Sequence, residues 1–385
     1  LALSGEGFSA DFILHIGLFV LKRTMKTIRS SGRRRHLVRF GIFLIVITFI
    51  VGVAGCGGDN ISPLPQNMEI RDWYDLDAIR DNLDGNHTLV NDLDSTTAGY
   101  TELASAIANE GKGWQPVGST AVNDTFVGSF DGQGYEICNL FINRPDESDV
   151  GLFGAVEAGG VIENVGVVNG NISGYEAVGS LVGYNRGTVK NSYARGDVTG
   201  DLDVGSLVGV NDGTVSNSYS SGSVTGRDGV GGLVGKNEGT MSNSYSIGAV
   251  NGNDFVGNLV GVNGGTVSNS YTSGTVNGSD FVGGLVGRNE GAVSKCYSTG
   301  SVTGDEHIGG LVGQNLYGVV SNSFWDTQTS GQDTSDGGTG KTNEEMMDID
   351  TFTGAAWDIV LIGDYVDETW YIDHGNDYPI LGWQS

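Results

Sequence analysis

The chain has 385 residues, among them 65 Gly, five Pro and three Cys, and carries a net charge of −26 at pH 7. Residues 1–55 hold eight Lys/Arg and two Asp/Glu, leaving 12 basic against 44 acidic side chains from Cys56 on, a net −32. Such a surface repels nucleic acid and anionic lipid head groups and favours solubility. So few cysteines exclude a disulfide framework.

The first 24 residues precede Met25 and read as an over-extended start. Their apolar run Phe12–Leu21 is too short to cross a bilayer, which takes ~20 residues. From Met25 the order is that of an export signal: basic residues Lys26, Arg29, Arg33, Arg34, Arg35 and Arg39, an apolar stretch Phe40–Val53, then Ala54-Gly55-Cys56. The string Val53-Ala54-Gly55-Cys56 resembles a bacterial lipobox, which implies cleavage after residue 55 and lipidation of Cys56. An uncleaved membrane anchor is the alternative, and both put the remainder outside the cytoplasm. Residues 56–66, with Pro63 and Pro65, read as a tether.

Residues 67–125 are expected to form an N-terminal cap and a lead-in strand. Asp72–Leu83 places Trp73, Leu76, Ile79 and Leu83 on one helical face. Thr88–Leu93 reads as a strand, and Asp94–Asn123 as an irregular excursion that returns through Trp114-Gln115-Pro116-Val117.

From residue 126 to 325 the pattern becomes periodic, and from 178 it is regular. Leu-Val-Gly begins at Leu181, Leu207, Leu233, Leu259, Leu285 and Leu311, a period of 26 residues. Asn follows four places later at Asn185, Asn211, Asn237, Asn263, Asn289 and Asn315. Tyr stands twelve places after the first five Leu, at Tyr193, Tyr219, Tyr245, Tyr271 and Tyr297, while the sixth copy has Phe324 one place late. Within one copy, Ser206–Asn211, Thr214–Ser220 and Ser223–Thr225 read as three short strands between glycine corners. A helix is excluded, since each interior Gly costs it about 1 kcal/mol. Short strands at a fixed period stack into an all-β parallel solenoid, right-handed as parallel crossovers are, with coils ~4.8 Å apart. Like then sits on like: a Leu core column, Asn amide ladders and a Tyr stack. Leu and Val are adjacent in each Leu-Val-Gly and must point to opposite sides.

The strings Gly231–Val250 (GGLVGKNEGTMSNSYSIGAV) and Gly283–Val302 (GGLVGRNEGAVSKCYSTGSV) resemble the GLUG repeat family, with looser versions at Gly128–Ile142 and Gly151–Val168. That resemblance implies a bacterial or archaeal surface protein, adhesin-like or the non-catalytic part of an IgA-cleaving metallopeptidase. It is specific for architecture and says little of activity.

After Trp325 the period fails. Residues 326–385 read as a Gly/Ser/Thr/Asp-rich loop to Lys341, a helix opened by a Thr342/Glu345 capping box, and short strands at Trp370–Ile372 and Tyr378–Leu381, together a C-terminal cap.

Glu176, Asp228, Asp254, Asp280 and Glu306 share one repeat position, which Leu202 interrupts. Stacked carboxylates repel and calcium would relieve them, so Asp228, Asp254, Asp280 and Glu306 are the calcium candidates, but solvated side chains explain the column without an ion. No other cofactor is expected. Asp131, Glu163 and Asp197 are candidates for a carbohydrate-cleaving pair, which needs two carboxylates at a set separation. The five histidines are scattered and no His-Glu-x-x-His occurs. Cys138 and Cys296 lie too far apart along a stack to pair, and Cys296 takes the place of Ser192, Ser218, Ser244 and Ser270, a small packing residue. An outward Tyr column would offer sugars a stacking surface, whereas an inward or half-buried one is core, the favoured reading.

The sequence thus points to an exported, lipid-anchored, monomeric solenoid at the cell surface. It is expected to be non-catalytic and to bind a glycan or a protein of the envelope or the exterior. A polysaccharide lyase or hydrolase on the same scaffold, and a plain structural stalk, are the alternatives. A cleft with converging carboxylates and a perturbed pKa would favour the enzyme; uniform faces would favour a binder or spacer.

Overall fold

A computed structural model describes residues 67–121, 124–364 and 368–384; the export signal, Cys56 and the tether lie outside them. Each 26-residue copy makes one coil of a parallel β-solenoid. The copy from Val208 contributes Val208–Asn211, Thr214–Ser216, Tyr219–Ser220, Val224–Thr225 and Asp228–Gly231. Five strands replace the expected three. The segment expected as one strand, Thr214–Ser220, breaks at Asn217, whose φ is 48°. Asn164, Asn191, Asn243, Asn269 and Asn322 repeat this left-handed corner, as does Lys295. Asn tolerates that conformation better than most side chains.

Equivalent strands pair in parallel, Val208 on Val234, Val215 on Met241 and Tyr219 on Tyr245, with one register shift, between Arg195 and Asp197 where Tyr193–Thr199 meets Gly166–Ser173. Four sheets result. The Asn sheet runs from Phe153–Val156 to Val312–Asn315, and the Thr sheet from Asn67–Ile70 to Val319–Ser321. The acid sheet runs from Glu176–Val178 to Glu306–Gly309. The Tyr sheet collects the remaining strands of every coil. The Thr sheet therefore begins at Asn67, well before residue 126.

Leu181, Leu207, Leu233, Leu259, Leu285 and Leu311 are all fully buried, and so is the Val after each of them. Both sides of that strand are thus covered. Gly235 shows how close the cover comes: a Cβ there would lie 2.4 Å from the Asp203 carbonyl carbon. Only glycine lets the acid-sheet strand of the preceding coil pass at that distance. Gly222 is tighter still, with a Cβ position 1.8 Å from Gly196 O.

The Asn column closes into a buried amide ladder. Nδ2 of Asn185, Asn211, Asn237, Asn263 and Asn289 each donates to Oδ1 of the next Asn at 2.7–2.8 Å. Cys296 is buried among these columns, and burial pushes its thiol up to about 12. Phe324 pairs with Tyr297 despite its late position. The extra residue is taken up in the corner at Tyr317, which has a φ of 65° and is 94 % exposed.

At the N-terminal end, the α-helix Trp73–Asp77 continues as a 3₁₀ turn to Asp81, and Asp72 caps it through Tyr74 N–H and Asp75 N–H. Trp73, Leu76 and Ile79 face the core. The strand expected at Thr88–Leu93 forms at Asn86–Leu89 instead, with Leu93 bridging to Ile137. The excursion returns as Trp114, whose indole donates to Leu152 O.

Beyond Asp326, Ser335 and Asp336 bond the last Asn-sheet strand at Val312, so this loop covers its edge. Thr342 and Glu345 form the capping box that opens the helix Asn343–Met346. The segment from Thr342 onward then folds back along the side of the solenoid, over the Tyr column. Trp357, Trp370, Ile372 and Leu381 join Tyr271, Tyr297 and Phe324 in one apolar cluster.

Candidate functional site

Two repeat columns that vary from coil to coil lie side by side. One follows the acid position: Ala177, Asp203, Gly229, Phe255, Phe281, His307. All six have φ between 49° and 68°. The other is the third residue of the Asn-sheet strand: Tyr184, Val210, Lys236, Val262, Arg288, Gln314. Sustained left-handed backbone at non-glycine residues is strained and tends to gather at working sites.

Over the first coils the two columns form the floor of a groove of about 700 Å³, walled by Ser119–Ala121 and Glu147–Asp149. Tyr184 OH donates to Asp212 Oδ2 at 2.5 Å. The Arg186 guanidinium lies 4.8 Å over the Tyr184 ring and pairs with Glu157 at 3.0 Å. The Thr120 hydroxyl donates to Asp149. Glu147 is held by Lys112 and Arg144, and Lys236 by Glu238 at 3.1 Å. Among the described residues, Asp203 and Glu176 have neither an ion pair nor a side-chain hydrogen bond.

Asp203 is the perturbed group. Burial pushes its carboxyl from 3.8 up to about 6; Lys236 opposes the shift, while Glu176, Asp228 and Glu238 add to it. Burial and the bond to Asp212 likewise raise the Tyr184 phenol.

The calcium candidates do stack, Asp228 on Asp254, Asp254 on Asp280 and Asp280 on Glu306. Burial, with Asp254 beside it, raises Asp228. Asp280, Glu306 and His307 offer ligand atoms within 4.8 Å of one another, and His307 Nδ1 is 2.7 Å from Asp280 Oδ1. Three exposed or half-exposed ligands fall short of the six to eight oxygens calcium takes.

The proposed cleaving set converges only in part, with Asp197 apart from the other two. Asp131 and Glu163 are ladder neighbours on the Thr sheet, where Asn164 donates to Asp131 and Lys190 pairs with Glu163 at 2.9 Å. Asp197 lies on the Tyr sheet, in a second groove of about 430 Å³. His374 accepts from Ile349 N–H at the flank.

The Tyr column is a ladder of near-parallel rings: Tyr193, Tyr219, Tyr245, Tyr271 and Tyr297 lie 4.9–5.0 Å apart. Their faces are used against one another and only edges turn outward, so no ring face along the column is left for a sugar. Tyr271 and Tyr297 are buried, and the other three are half-buried.

The groove residues Tyr184, Arg186, Asp203, Asp212 and Lys236 escape a reading that looks for constant positions. The available signal was the opposite one: in a strict repeat, a column that varies freely is one that packing does not fix.

The GLUG motif matches residues 174–199 and 282–303. Halomucin of Haloquadratum walsbyi is 36 % identical over 123 residues, which cover 31 % of this chain and 1 % of that protein. A protein of Evansella cellulosilytica, assigned as a Gly-rich membrane protein, is 32 % identical over 174 residues, 41 % of this chain and 19 % of that one. The matches thus span less than a fifth of either relative's length. A solved Bacteroides ovatus protein assigned as an immunoglobulin A1 protease superposes with a TM-score of 0.47 at 19 % identity, covering 82 % of this chain and 92 % of that one. An IgA1 protease gives 0.42 at 18 % identity, covering 69 % of this chain and 22 % of the other. At those identities a shared activity does not follow. The chain carries the GLUG motif, set in the coils of a parallel β-solenoid.

Proposed function

We propose that this is an exported, surface-anchored interaction protein that binds a carbohydrate or another envelope partner without turning it over. The groove at Tyr184 carries the binding part of this reading. It is concave, polar and placed on coils whose other columns are committed to packing. The relatives support a surface setting: one is named halomucin and one is assigned as a membrane protein. The export signal and Cys56 supply the anchor. Screening the protein against glycans and host-matrix proteins, with and without calcium, tests the binding. A specific hit is expected, and flat results throughout would leave a structural stalk. Cys56→Ser is expected to abolish fatty-acid labelling and free the protein from membranes; continued labelling defeats the anchor.

A second reading, a carbohydrate-cleaving enzyme, is favoured by one observation. The groove brings several carboxylates together, and burial pushes one of them, Asp203, up to about 6, the direction an acid catalyst needs. Release of reducing ends from a bound glycan, lost in Asp203→Asn, would establish it.

A further inference from the structure

We propose that the groove recognises a glycan bearing free amino groups, such as an oligomer of deacetylated amino sugars. This rests on the glycan-binding reading above and adds the ligand's chemistry. Five carboxylates line the groove against two cations, Arg186 and Lys236. Three of the five are already engaged: Glu147 by Lys112 and Arg144, Asp212 by Tyr184, and Asp149 by Thr120. The unmet demand at Asp203 and Glu176 is for positive charge. An ammonium beside the half-buried Asp203 gains more than it would in open water, because the local dielectric is lower.

The rest of the lining selects among cations. Ser119, Thr120 and Ser148 offer hydroxyls, while the apolar share is limited to Ala121, Ala177, Val210 and the Tyr184 ring, which Arg186 covers on one face. A peptide would find little apolar surface for a large side chain. Nor would it find a free strand edge, since Val182–Asn185 on the floor is paired on both sides. A bare divalent ion would find too few oxygens without partners. A hydroxyl-rich chain with amines satisfies both halves of the lining.

The geometry supplies its own controls. Asp203→Asn keeps the side chain's shape at a φ of 50°, a conformation Asn accepts. Ala177→Phe fills the groove with a residue that the same column already carries at Phe255 and Phe281, with φ of 52° and 55°. Titration calorimetry on the full chain would use a glucosamine hexamer, its N-acetylated counterpart, spermine and calcium chloride. The glucosamine hexamer is expected to bind at least about tenfold more tightly than the acetylated one. Asp203→Asn should weaken it by about tenfold or more, the worth of a charge-assisted hydrogen bond, and Ala177→Phe should abolish it. Equal affinity for the two hexamers overturns the amine. Spermine or calcium binding as tightly as the glucosamine hexamer overturns the sugar. Binding untouched by both variants overturns the site. If a different glycan binds and is lost in Ala177→Phe, only the ligand assignment fails and the glycan-binding reading stands. If no glycan binds at all, both fail.

Discussion

On one side of the solenoid, Tyr rings stack coil on coil, and the C-terminal segment lies over them. Tyr297 OH donates to Pro379 O, Gln384 Nε2 donates to Tyr271 OH, and the Trp383 indole donates to Asn243 O. On another side, two neighbouring columns hold Ala, Asp, Gly, Phe and His in one and Tyr, Val, Lys, Arg and Gln in the other, with a groove over the first coils. The same period builds both. Where every copy presents the same ring, the repeat makes a surface uniform enough for one long segment to adhere. Where the copies differ, each coil becomes a separate place, and chemistry is confined to a few of them.

Substitutions test the contrast, and the largest effect lies with what both flanks share. Leu259→Ala empties a fully buried column position and is expected to destabilise by about 2–5 kcal/mol, read by chemical denaturation. A loss under about 1 kcal/mol would mean that the column is not a packed core.

Asp203→Asn should act in the other direction. Below pH 3.8 the carboxyl is protonated in both folded and unfolded chains and contributes nothing. Between there and about 6 the folded state keeps a proton that the unfolded chain has released, so stability falls as pH rises through this window. The full penalty is present above about 6 and is absent in the Asn variant. The variant is therefore expected to be more stable at neutral pH by up to about 3 kcal/mol and no different in acid; equal stability at both pH values would contradict the burial of this group.

Trp383→Ala is the mildest, with about 1 kcal/mol lost as one hydrogen bond and its ring contacts with Tyr219 and Tyr245 disappear. Its clearest readout is limited proteolysis: the stretch after residue 342 should be cut faster while the coils resist. Cutting at the wild-type rate would show that the tryptophan does not hold the segment down.

The coils were legible because they repeat. Leu207, Asn211 and Tyr219 each announce a column, and stacking follows from spacing alone. The Trp73 helix and the Thr342 capping box were legible for a different reason, as local patterns with local causes. Three features were not. The break at Asn217 depends on backbone handedness that a Thr-Val-Ser-Asn-Ser-Tyr string also permits as a continuous strand. The fold-back of the C-terminal segment joins residues 113 positions apart, such as Tyr271 and Gln384, and nothing nearby in the chain signals it. The groove needs Ser119–Ala121 to arrive beside Tyr184 and Asp203, a meeting set by the whole excursion rather than by any motif.

Pairing is the same at each step from Asn263 to Asn289 and from Asn289 to Asn315. Excising one whole copy between them would therefore leave every amide partnered and the seam invisible. The molecule can lengthen or shorten in increments of ~4.8 Å without redesign, so its reach is an adjustable property of the gene. The wet recess near the beginning would keep its identity whatever number of coils follows.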